Sequence, residues 1–436
     1  MTRVVMMGTR TQSGPCRVAI AGFGTVGEAV ARILSSGIHP ALQLTHVCNR
    51  AVSRKVVDWV APGVVWTEHF ADLLDGSADV LVELIGGVSP ARGWMEQALG
   101  AGMAVVTANK QVIAHDGPGL AQRAQAAGRP LLFEAAVAGG VPIVRSLREG
   151  IAGDRLHRIQ GVLNGTCNYI LTRMEREGVS FDDALADAQR LGYAEADPTA
   201  DVDGFDAQAK LAILIGVGLG CQVDVEDIAL GSIRPIAPID FSYAKRLGCV
   251  IRQVARAELL SDSGQIRAAV QPALVPDDSS LARVDGSQNI VVVDGEYGGE
   301  TAFSGFGAGG APTAVAVVSD LLAIARGLPY RAHADVPLVR REVVRAFDAP
   351  HYVRFMIRDR PGILAALAEV FSRHRINVDA VWQEPGYTKT ELPFVMTLET
   401  CGSASVTAAL DEIGRFDFHI RPPLWLPILS RGDTRA

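Results

Sequence analysis

The segment from Arg17 to Leu34 constrains the fold more than any other part of the chain. An apolar strand runs directly into a G-x-G-x-x-G turn, and a helical pattern continues from Glu28. Glycines at these spacings allow a tight turn and let a pyrophosphate approach the helix N-terminus, where free N–H groups favour an anion. An ordinary strand–turn–helix is the alternative. The context favours the first unit of a Rossmann-type doubly wound sheet, with the turn residues on a dinucleotide: Gly22, Phe23, Gly24, Thr25, Val26 and Gly27.

Two further strands are predicted to end at the edge of the sheet where the dinucleotide binds. Residues 80–85 form a strand pattern that ends in two glycines, residues 90–101 a helix and residues 104–107 another strand. Ligands of doubly wound sheets bind beyond the carboxyl ends of the strands. We therefore expect Ile85 and Gly86 to contact the cofactor, and Lys110 to contact cofactor and substrate. The alternative for Lys110 is helix capping.

The end of the second strand, predicted over residues 42–48, bears on the cofactor. An acidic residue there would hold a ribose 2′-hydroxyl, but the chain has Asn49 and Arg50, with Arg54 and Lys55 just beyond. Cations suit a 2′-phosphate. We expect Arg50 and Lys55 to favour NADP(H), with NAD(H) possible; a solvated basic loop is the alternative.

Composition excludes several classes of protein. A chain of 436 residues is long enough for two or three domains, and a net charge of −7 without long charge runs gives no reason to expect nucleic acid or an anionic membrane as partner. Six scattered cysteines predict reduced thiols and a cytoplasmic protein, with neither a disulfide framework nor a zinc site. Residues 1–15 are expected to be a disordered leader without an apolar signal region.

An acid-rich turn over residues 192–206 leads into a helix that carries Asp206 and Lys210 on one face. The apolar run that follows predicts a buried helix, which sets Lys210 at the edge of a core; a surface ion pair is the alternative. Residues 155–163 form a strand that ends in Asn164-Gly165-Thr166, where N–H groups and a hydroxyl could hold a carboxylate, or Thr166 could simply cap the next helix. Together they predict an amino-acid pocket, with acidic groups on the α-amino group and lysines on the reacting oxygen.

These segments resemble homoserine dehydrogenase. Residues 192–210 are similar to the family signature G-Y-x-E-x-D-P followed by D-x-x-G-x-D-x-x-x-K, with Ala196 where proline is common. Four more segments occur in family order beside the glycine loop: residues 107–110, 134–141, 164–166 and 304–313.

The resemblance implies NADPH-dependent reduction of L-aspartate 4-semialdehyde to L-homoserine, on the route to threonine, methionine and isoleucine. Lys210 would donate a proton to the aldehyde oxygen and Lys110 would orient the substrate. Glu195 and Asp206 would bind the amino group and hydroxyl. Other positions implied by the family are Tyr193, Thr166 and Asp201 in the pocket, Gly192 and Gly309 at the cofactor, and the carbonyls of Glu134, Val137, Gly139 and Val141 around a monovalent cation, commonly Na⁺.

The last 86 residues, 351–436, predict a ferredoxin-like βαββαβ module. Its Asp359-Arg-Pro-Gly-Ile-Leu364 turn resembles the ACT domain, a regulatory unit that binds amino acids, usually between paired copies. The resemblance implies an effector on Asp359, Gly362, Ile363 and Leu364, and we expect it to be threonine; a module that only dimerises is the alternative.

The expected architecture is α/β, with a Rossmann-type sheet, an α+β catalytic and dimerisation domain and the ACT module, in a homodimer or homotetramer. Predicted bounds are 16–148 for the dinucleotide domain with a return over 305–330, 149–330 for the substrate domain, 331–350 for a linker and 351–436 for the ACT domain. Two rivals remain: a related dehydrogenase such as aspartate-semialdehyde dehydrogenase, for which Cys167 would be the nucleophile without a nearby base, and a silent amino-acid sensor, which would not need both Lys110 and Lys210.

Overall fold

A computed structural model describes residues 14–328 and 338–430. The expected leader falls almost wholly outside the described residues, and so does part of the expected linker. The chain divides into two compact units. The first runs to Gly153 and includes Ala212–Val225 and Gly305–Arg340; the second comprises Asp154–Leu211, Glu226–Ser304 and the chain from Arg341 onward.

The N-terminal 150 residues build a parallel sheet with helices around it. Its six strands are β1 (Cys16–Ala21), β2 (Leu42–Cys48), β3 (Val65–Thr67), β4 (Val80–Glu83), β5 (Ala104–Thr107) and β6 (Leu131–Leu132). The helices are α1 (Thr25–Ser35), α2 (Ala91–Gly100), α3 (Lys110–Ala127) and α4 (Ile143–Arg145). The strand order β3-β2-β1-β4-β5-β6 is that of a doubly wound dinucleotide-binding sheet, which confirms the predicted fold class.

The strands of this sheet are continuous apolar runs because both faces are covered. Val18, Ile20 and Val82 are fully buried. Strand β4 ends at Glu83, two residues before the predicted end, because the Ile85 N–H bonds the Glu83 side chain at 2.9 Å instead of a neighbouring strand.

The middle of the chain builds a second, mixed sheet. Strands here are β7 (Leu156–Val162), β8 (Cys221–Gln222), β9 (Ala229–Leu230), β10 (Cys249–Leu259), β11 (Ile266–Pro276), β12 (Gln288–Gly295), β13 (Gly299–Phe306), β14 (Val339–Arg340) and β15 (Val343–Val344). Helices are α5 (Gly165–Glu177), α6 (Phe181–Arg190), α7 (Thr199–Val202), α8 (Phe205–Leu219) and α9 (Pro238–Arg246). The following helix, α10 (Gly310–Ala325), belongs to the first unit, where it packs into the core of the parallel sheet. The sheet has the order β13-β12-β7-β10-β11-β15, with β9 also paired to β11, while β8 pairs with β14.

The C-terminal module has the predicted βαββαβ order. Its elements are β16 (Asp348–Ile357), α11 (Ile363–Arg373), β17 (Val378–Trp382), β18 (Leu392–Gly402), α12 (Ser403–Ile413) and β19 (His419–Pro427). The four strands form an antiparallel sheet in the order β17-β18-β16-β19. Within the second unit this module shares one apolar core with α9, in which Tyr352 and Leu426 pack with Phe241 and Tyr243. No helix among the described residues is both long and apolar enough to cross a membrane.

Candidate active site

The glycine turn between β1 and α1 leaves its backbone open to a ligand. Gly22 has φ 106°, and a Cβ there would lie 2.7 Å from the Leu84 carbonyl group. A Cβ on Gly27 would overlap the Gly22 carbonyl oxygen, whereas one on Gly24 would meet nothing within 4 Å. The first and third glycines are thus required by the protein itself, and the open space at Gly24 fits close approach of a pyrophosphate to the start of α1.

The other predicted turn residues differ in what they can offer. Phe23 is 2% exposed and packs edge-on against Trp66 with ring centroids 4.9 Å apart, so only its backbone faces the turn. Thr25 lies against α10, since a Cβ on Gly310 would lie 2.9 Å from the Thr25 carbonyl oxygen. The segment that includes Gly309, the N-cap of α10, therefore lies beside the glycine turn, where the resemblance expected it.

The end of β2 carries no acidic side chain. The Asn49 side-chain oxygen accepts a bond of 3.3 Å from the Phe23 N–H, which ties this strand end to the glycine turn. Arg50 is exposed and Lys55 is half-buried at the end of a short 3₁₀ helix. A ribose 2′-hydroxyl would find no carboxylate at Asn49 or Arg50, while a 2′-phosphate would find cations nearby.

Glu83, at the end of β4, organises the two strand ends that carry Ile85, Gly86 and Lys110. This carboxylate is fully buried and accepts bonds from the Ile85 N–H at 2.9 Å, the Gly86 N–H at 3.3 Å and the Thr107 hydroxyl at 2.6 Å. Burial raises its pKa, against the opposing effect of these hydrogen bonds. Glu83 was not among the residues predicted from the sequence, although a carboxylate inside an apolar strand is a visible signal.

Lys110 is the first residue of α3. The preceding Asn109 caps the helix by accepting from the Val112 N–H at 3.2 Å, and its amide donates to the Gly87 carbonyl at 2.7 Å. This cap fixes the start of α3 against the loop after β4, and so fixes the backbone from which the Lys110 side chain extends.

The turn over residues 134–141 can be tested against the expected cation. Ala138 and Gly139 have left-handed φ values of 52° and 51°, which turn successive carbonyls. Val137 and Gly139 are buried, and within the described ranges no backbone donor lies against their carbonyl oxygens. Buried carbonyls without donors suit a hard cation. The backbone carbonyls of this turn could therefore coordinate a monovalent cation. The Val141 carbonyl also accepts a hydrogen bond from the Ile143 N–H at 2.8 Å.

The Glu134 side chain belongs to a cluster of polar groups with Arg145 and Asp320. Its carboxylate accepts the N–H groups of Val144 and Arg145 at 2.8 Å each. Its own N–H donates to Asp320 at 2.9 Å, and Arg145 also donates to Asp320 at 3.0 Å. Burial raises the pKa of Asp320 to about 7, and also raises that of Glu134.

In the second unit, Lys210 and Asp206 form a buried ion pair. The Lys210 Nζ donates to the Asp206 carboxylate at 2.7 Å and to the Leu163 carbonyl at 2.8 Å. The Asn289 amide also donates to that carbonyl at 2.9 Å, which fixes it in place. An ammonium group has three N–H donors, and the third finds no acceptor in the part of the chain that the structure describes. This N–H is available to a substrate oxygen.

Asn164 joins the two carboxylates of this site, and the sequence analysis had assigned it no role of its own. Its amide donates to Asp201 at 2.7 Å and to Asp206 at 2.9 Å. Its oxygen caps α5 by accepting from the Cys167 N–H at 2.8 Å. Thr166 is therefore not the cap; its hydroxyl donates to the Tyr193 carbonyl at 2.7 Å.

The acid-rich turn divides into structural and available carboxylates. Asp197 accepts from the Thr199 N–H at 3.1 Å, and Asp203 accepts from the Ser232 hydroxyl at 2.6 Å, so both hold the turn. Glu195 and Gly192 are exposed. Tyr193 is 46% exposed, with its ring 4.9 Å from that of Tyr169.

The predicted effector turn of the C-terminal module lies at the start of α11. Gly362 is the N-cap, Ile363 is buried in the module core and Leu364 is 51% exposed. The Asp359 side chain is 35% exposed and lies 4.0 Å from the Lys389 ammonium. The turn thus offers one exposed apolar side chain, one carboxylate and the free N–H groups of a helix start.

A doubly wound sheet with an open glycine turn, together with a separate buried lysine–carboxylate pair, defines an NAD(P)-dependent dehydrogenase of a small polar substrate. Cys167, the nucleophile that the rival dehydrogenase would need, is fully buried, and burial raises its pKa well above the ordinary value.

Comparison with known proteins identifies the family. The family model for homoserine dehydrogenase matches residues 142–322, that for its NAD-binding domain residues 22–134 and that for the ACT domain residues 351–417. The homoserine dehydrogenase of Synechocystis sp. is 37% identical over 95% of this chain and 99% of its own length. A crystal structure of the enzyme from Thiobacillus denitrificans has a TM-score of 0.87 and 33% identity, covering 95% of this chain and 98% of the other.

A hyperthermophilic archaeal homoserine dehydrogenase solved in complex with NADPH has a TM-score of 0.62 and 29% identity, covering 72% of this chain and 99% of its own. The chain belongs to the homoserine dehydrogenase family: it is an NAD(P)-dependent oxidoreductase with a C-terminal ACT domain. The resemblance seen in the sequence is confirmed.

Proposed function

We propose that Lys210 is the proton donor when this chain reduces L-aspartate 4-semialdehyde to L-homoserine with NADPH. The observation that carries the proposal is the Lys210 ammonium, held by Asp206 and the Leu163 carbonyl with one N–H that has no acceptor among residues 14–328 and 338–430. NADPH, when bound, supplies the hydride. Hydride addition to an aldehyde develops negative charge on its oxygen, and a fixed cation that also donates a proton stabilises that charge.

The remaining substrate contacts follow from the same site. Glu195 takes the amino group, which its exposed carboxylate can reach without disturbing a buried pair. Asp206 takes the hydroxyl of the product, while Asp201, Tyr193 and Thr166 line the pocket. Lys110 orients the substrate, and Gly192 contacts the cofactor.

Substitution of the lysine tests this proposal. Lys210→Met keeps the length of the side chain but removes the donor, so kcat for semialdehyde reduction should fall about 10²–10⁴-fold. NADPH affinity should change little, because the cofactor is assigned to the glycine turn of the first unit. Lys245→Met, at an exposed lysine, is the matched control. Near-normal turnover of Lys210→Met, with folding verified by circular dichroism, would remove Lys210 from the mechanism.

We also propose that the enzyme prefers NADPH over NADH. Arg50 and Lys55 would hold the 2′-phosphate and Lys110 and Gly309 the rest of the cofactor, and the absence of a carboxylate at Asn49 or Arg50 supports this preference. The double variant Arg50→Glu/Lys55→Glu should lower kcat/KM for NADPH much more than for NADH. Arg54→Glu, an exposed neighbour, is the control. An unchanged NADPH-to-NADH ratio in the double variant would refute the assignment.

A monovalent cation, Na⁺ by preference, is proposed on the carbonyls of Glu134, Val137, Gly139 and Val141. It would stiffen the turn that leads into α4. Replacing Na⁺ by a bulky organic cation should lower the melting temperature and the activity together, whereas insensitivity of both to the cation would argue against the site.

For regulation, we propose that threonine binds the ACT turn through Asp359, Gly362, Ile363 and Leu364 and inhibits turnover. Asp359→Asn in the full chain should weaken inhibition without changing uninhibited kcat. A point variant is needed because the module shares its core with α9, so truncation would expose Phe241 and Tyr243. Threonine insensitivity of the unmodified enzyme would reject this effector.

The proposal also covers the oligomeric state, the cellular compartment and the domain bounds. The chain works as a homodimer or homotetramer, which sedimentation measurements can establish. It acts in the cytoplasm, as six free cysteines support. Its dinucleotide domain spans residues 16–148 with a return over 305–330, its substrate domain residues 149–330 and its ACT domain residues 351–436, as the sequence predicts.

A further inference from the structure

The ACT module holds α9 through a buried cluster centred on Asp240. This carboxylate is fully buried and accepts the Tyr352 hydroxyl at 2.6 Å and the Arg354 Nε at 2.7 Å, both from β16. Its other oxygen accepts the Ala237 N–H at 2.8 Å. Tyr352 is fully buried and Arg354 is 4% exposed, so water does not compete for these bonds.

Arg354 also contacts the chain that precedes α9. Its Nη2 donates to the Pro235 carbonyl at 2.8 Å. The planar guanidinium therefore ties both the start of α9 and the segment of residues 231–237 that precedes it to the ACT sheet. A lysine would have to reach both acceptors from one nitrogen, whereas the arginine uses two nitrogens of a planar fork.

The opposite side of the 231–237 segment contacts the substrate half of the active site. The Ile233 N–H donates to the Val202 carbonyl at 3.1 Å, and both residues are fully buried. The Ser232 hydroxyl and the Arg234 Nε donate to Asp203 at 2.6 and 3.1 Å. The segment thus fixes the end of α7.

Helix α7 carries Asp201, which Asn164 joins to Asp206 and hence to Lys210. Contacts are therefore continuous from Arg354, in the ACT domain, to the reacting end of the site. We propose that Arg354 and Asp240 are positioning residues for the active site: through the 231–237 segment they fix Asp201 and Asp206 in the geometry that binds the semialdehyde. The proposal rests on the assignment of these two carboxylates to the substrate.

The test compares Arg354→Met with two matched substitutions in the full chain. Arg246→Met removes a different contact between α9 and the ACT module, an arginine 4.7 Å over the Trp382 ring and paired with Glu384. Arg158→Met breaks a mostly buried pair with Asp294, 2.8 Å long, away from the 231–237 segment. Circular dichroism and gel filtration verify folding. If Arg354→Met does not fold, Asp240→Asn/Arg354→Gln is used, since this pair removes the charges and retains hydrogen-bonding groups.

We expect kcat/KM for aspartate semialdehyde to fall about tenfold or more in Arg354→Met, because small displacements of positioning groups are costly. KM for NADPH should stay unchanged, and both controls should stay within about twofold of the unmodified enzyme. Arg354→Lys, which keeps the charge but loses the second contact, should fall between. Equal loss in Arg354→Met and Arg158→Met, or none in either Arg354 variant, would overturn the proposal. An unmodified enzyme that fails to reduce the semialdehyde would instead overturn the proposed function.

Discussion

Replacing Asn164 by Asp should disable the substrate half of the site while keeping the N-cap of α5. Aspartate has nearly the same volume and is as good an N-cap as asparagine, so the bond from the Cys167 N–H can persist. What is lost is the amide group that donates to Asp201 at 2.7 Å and Asp206 at 2.9 Å. In its place a third carboxylate faces the other two.

The structure sets the size of the effect. Hydrogen bonds to charged groups contribute about 1.5–3 kcal/mol each, so the loss of two predicts a destabilisation of about 3–6 kcal/mol before any repulsion is counted. Asn164 is 3% exposed and Asp206 7%, so solvent screening reduces this little. Repulsion between carboxylates at hydrogen-bond distance raises the pKa of at least one of them.

The destabilisation caused by Asn164→Asp should grow as pH rises. A new carboxyl whose pKa in the folded state lies above its unfolded value contributes stability only at low pH and loses it as pH rises through the folded value. The gap in unfolding free energy between Asn164→Asp and the unmodified enzyme should thus widen from about pH 5 to pH 7.5. Urea unfolding at several pH values measures it, and semialdehyde turnover at neutral pH should be largely lost.

Asn164→Ser separates the loss of the amide hydrogen bonds from the repulsion between carboxylates. Serine keeps the cap but adds no charge, so its destabilisation should be smaller and independent of pH over this range. The reasoning would be refuted if Asn164→Asp lost stability equally at all pH values, or if it retained normal turnover.

Three other predictions use the first unit. Gly24→Ala should fold normally but bind NADPH weakly, whereas Gly27→Ala should lower the melting temperature, because only the second Cβ overlaps protein; calorimetry with and without NADPH distinguishes them, and equal behaviour would contradict the open-space argument. With the pKa of Asp320 raised by burial to about 7, its stabilising contribution is full below about pH 4, and the part that remains at pH 6 is lost as pH rises through 7. Between pH 6 and 8 the unmodified enzyme should lose about 1 kcal/mol of unfolding free energy that Asp320→Asn does not lose; parallel pH profiles would exclude this group. Glu83→Gln keeps an acceptor for the Ile85 N–H but loses the carboxylate, so it should raise KM for NADPH more than it lowers kcat; a normal KM would show that other contacts suffice to hold the loop.

Much of the fold could be predicted because its signals are local. Strand β2 and strand β5 were predicted with their observed ends, since each is an apolar run bounded by turn or capping residues. The sheet of β7, β10, β11 and β12 could not be ordered, because its pairing joins residues far apart in sequence. The family resemblance supplied the domain type but not the register.

In the site, too, contacts between residues close in sequence could be predicted and contacts between distant residues could not. Asp206 and Lys210 are four residues apart on one helix, so their pairing was readable from spacing. Asn164 contacts Asp201 and Asp206 across 37 and 42 residues, and only the folded chain brings them together. Asp240 and Arg354, separated by 114 residues in sequence, could not have been paired from any local pattern.

The charges around Lys210 explain why a neutral residue occupies position 164. Asp206 balances the lysine, and Asp201 on α7 and the exposed Glu195 in the turn add two more carboxylates to this part of the chain. Under the proposed function, these acidic groups attract the ammonium group of the amino-acid substrate. A lysine at position 164 could also satisfy Asp201 and Asp206, but its charge would cancel the attraction. An asparagine amide satisfies two carboxylates at once without changing the net charge, so it orders the site and leaves the proposed attraction for a cationic ligand group in place.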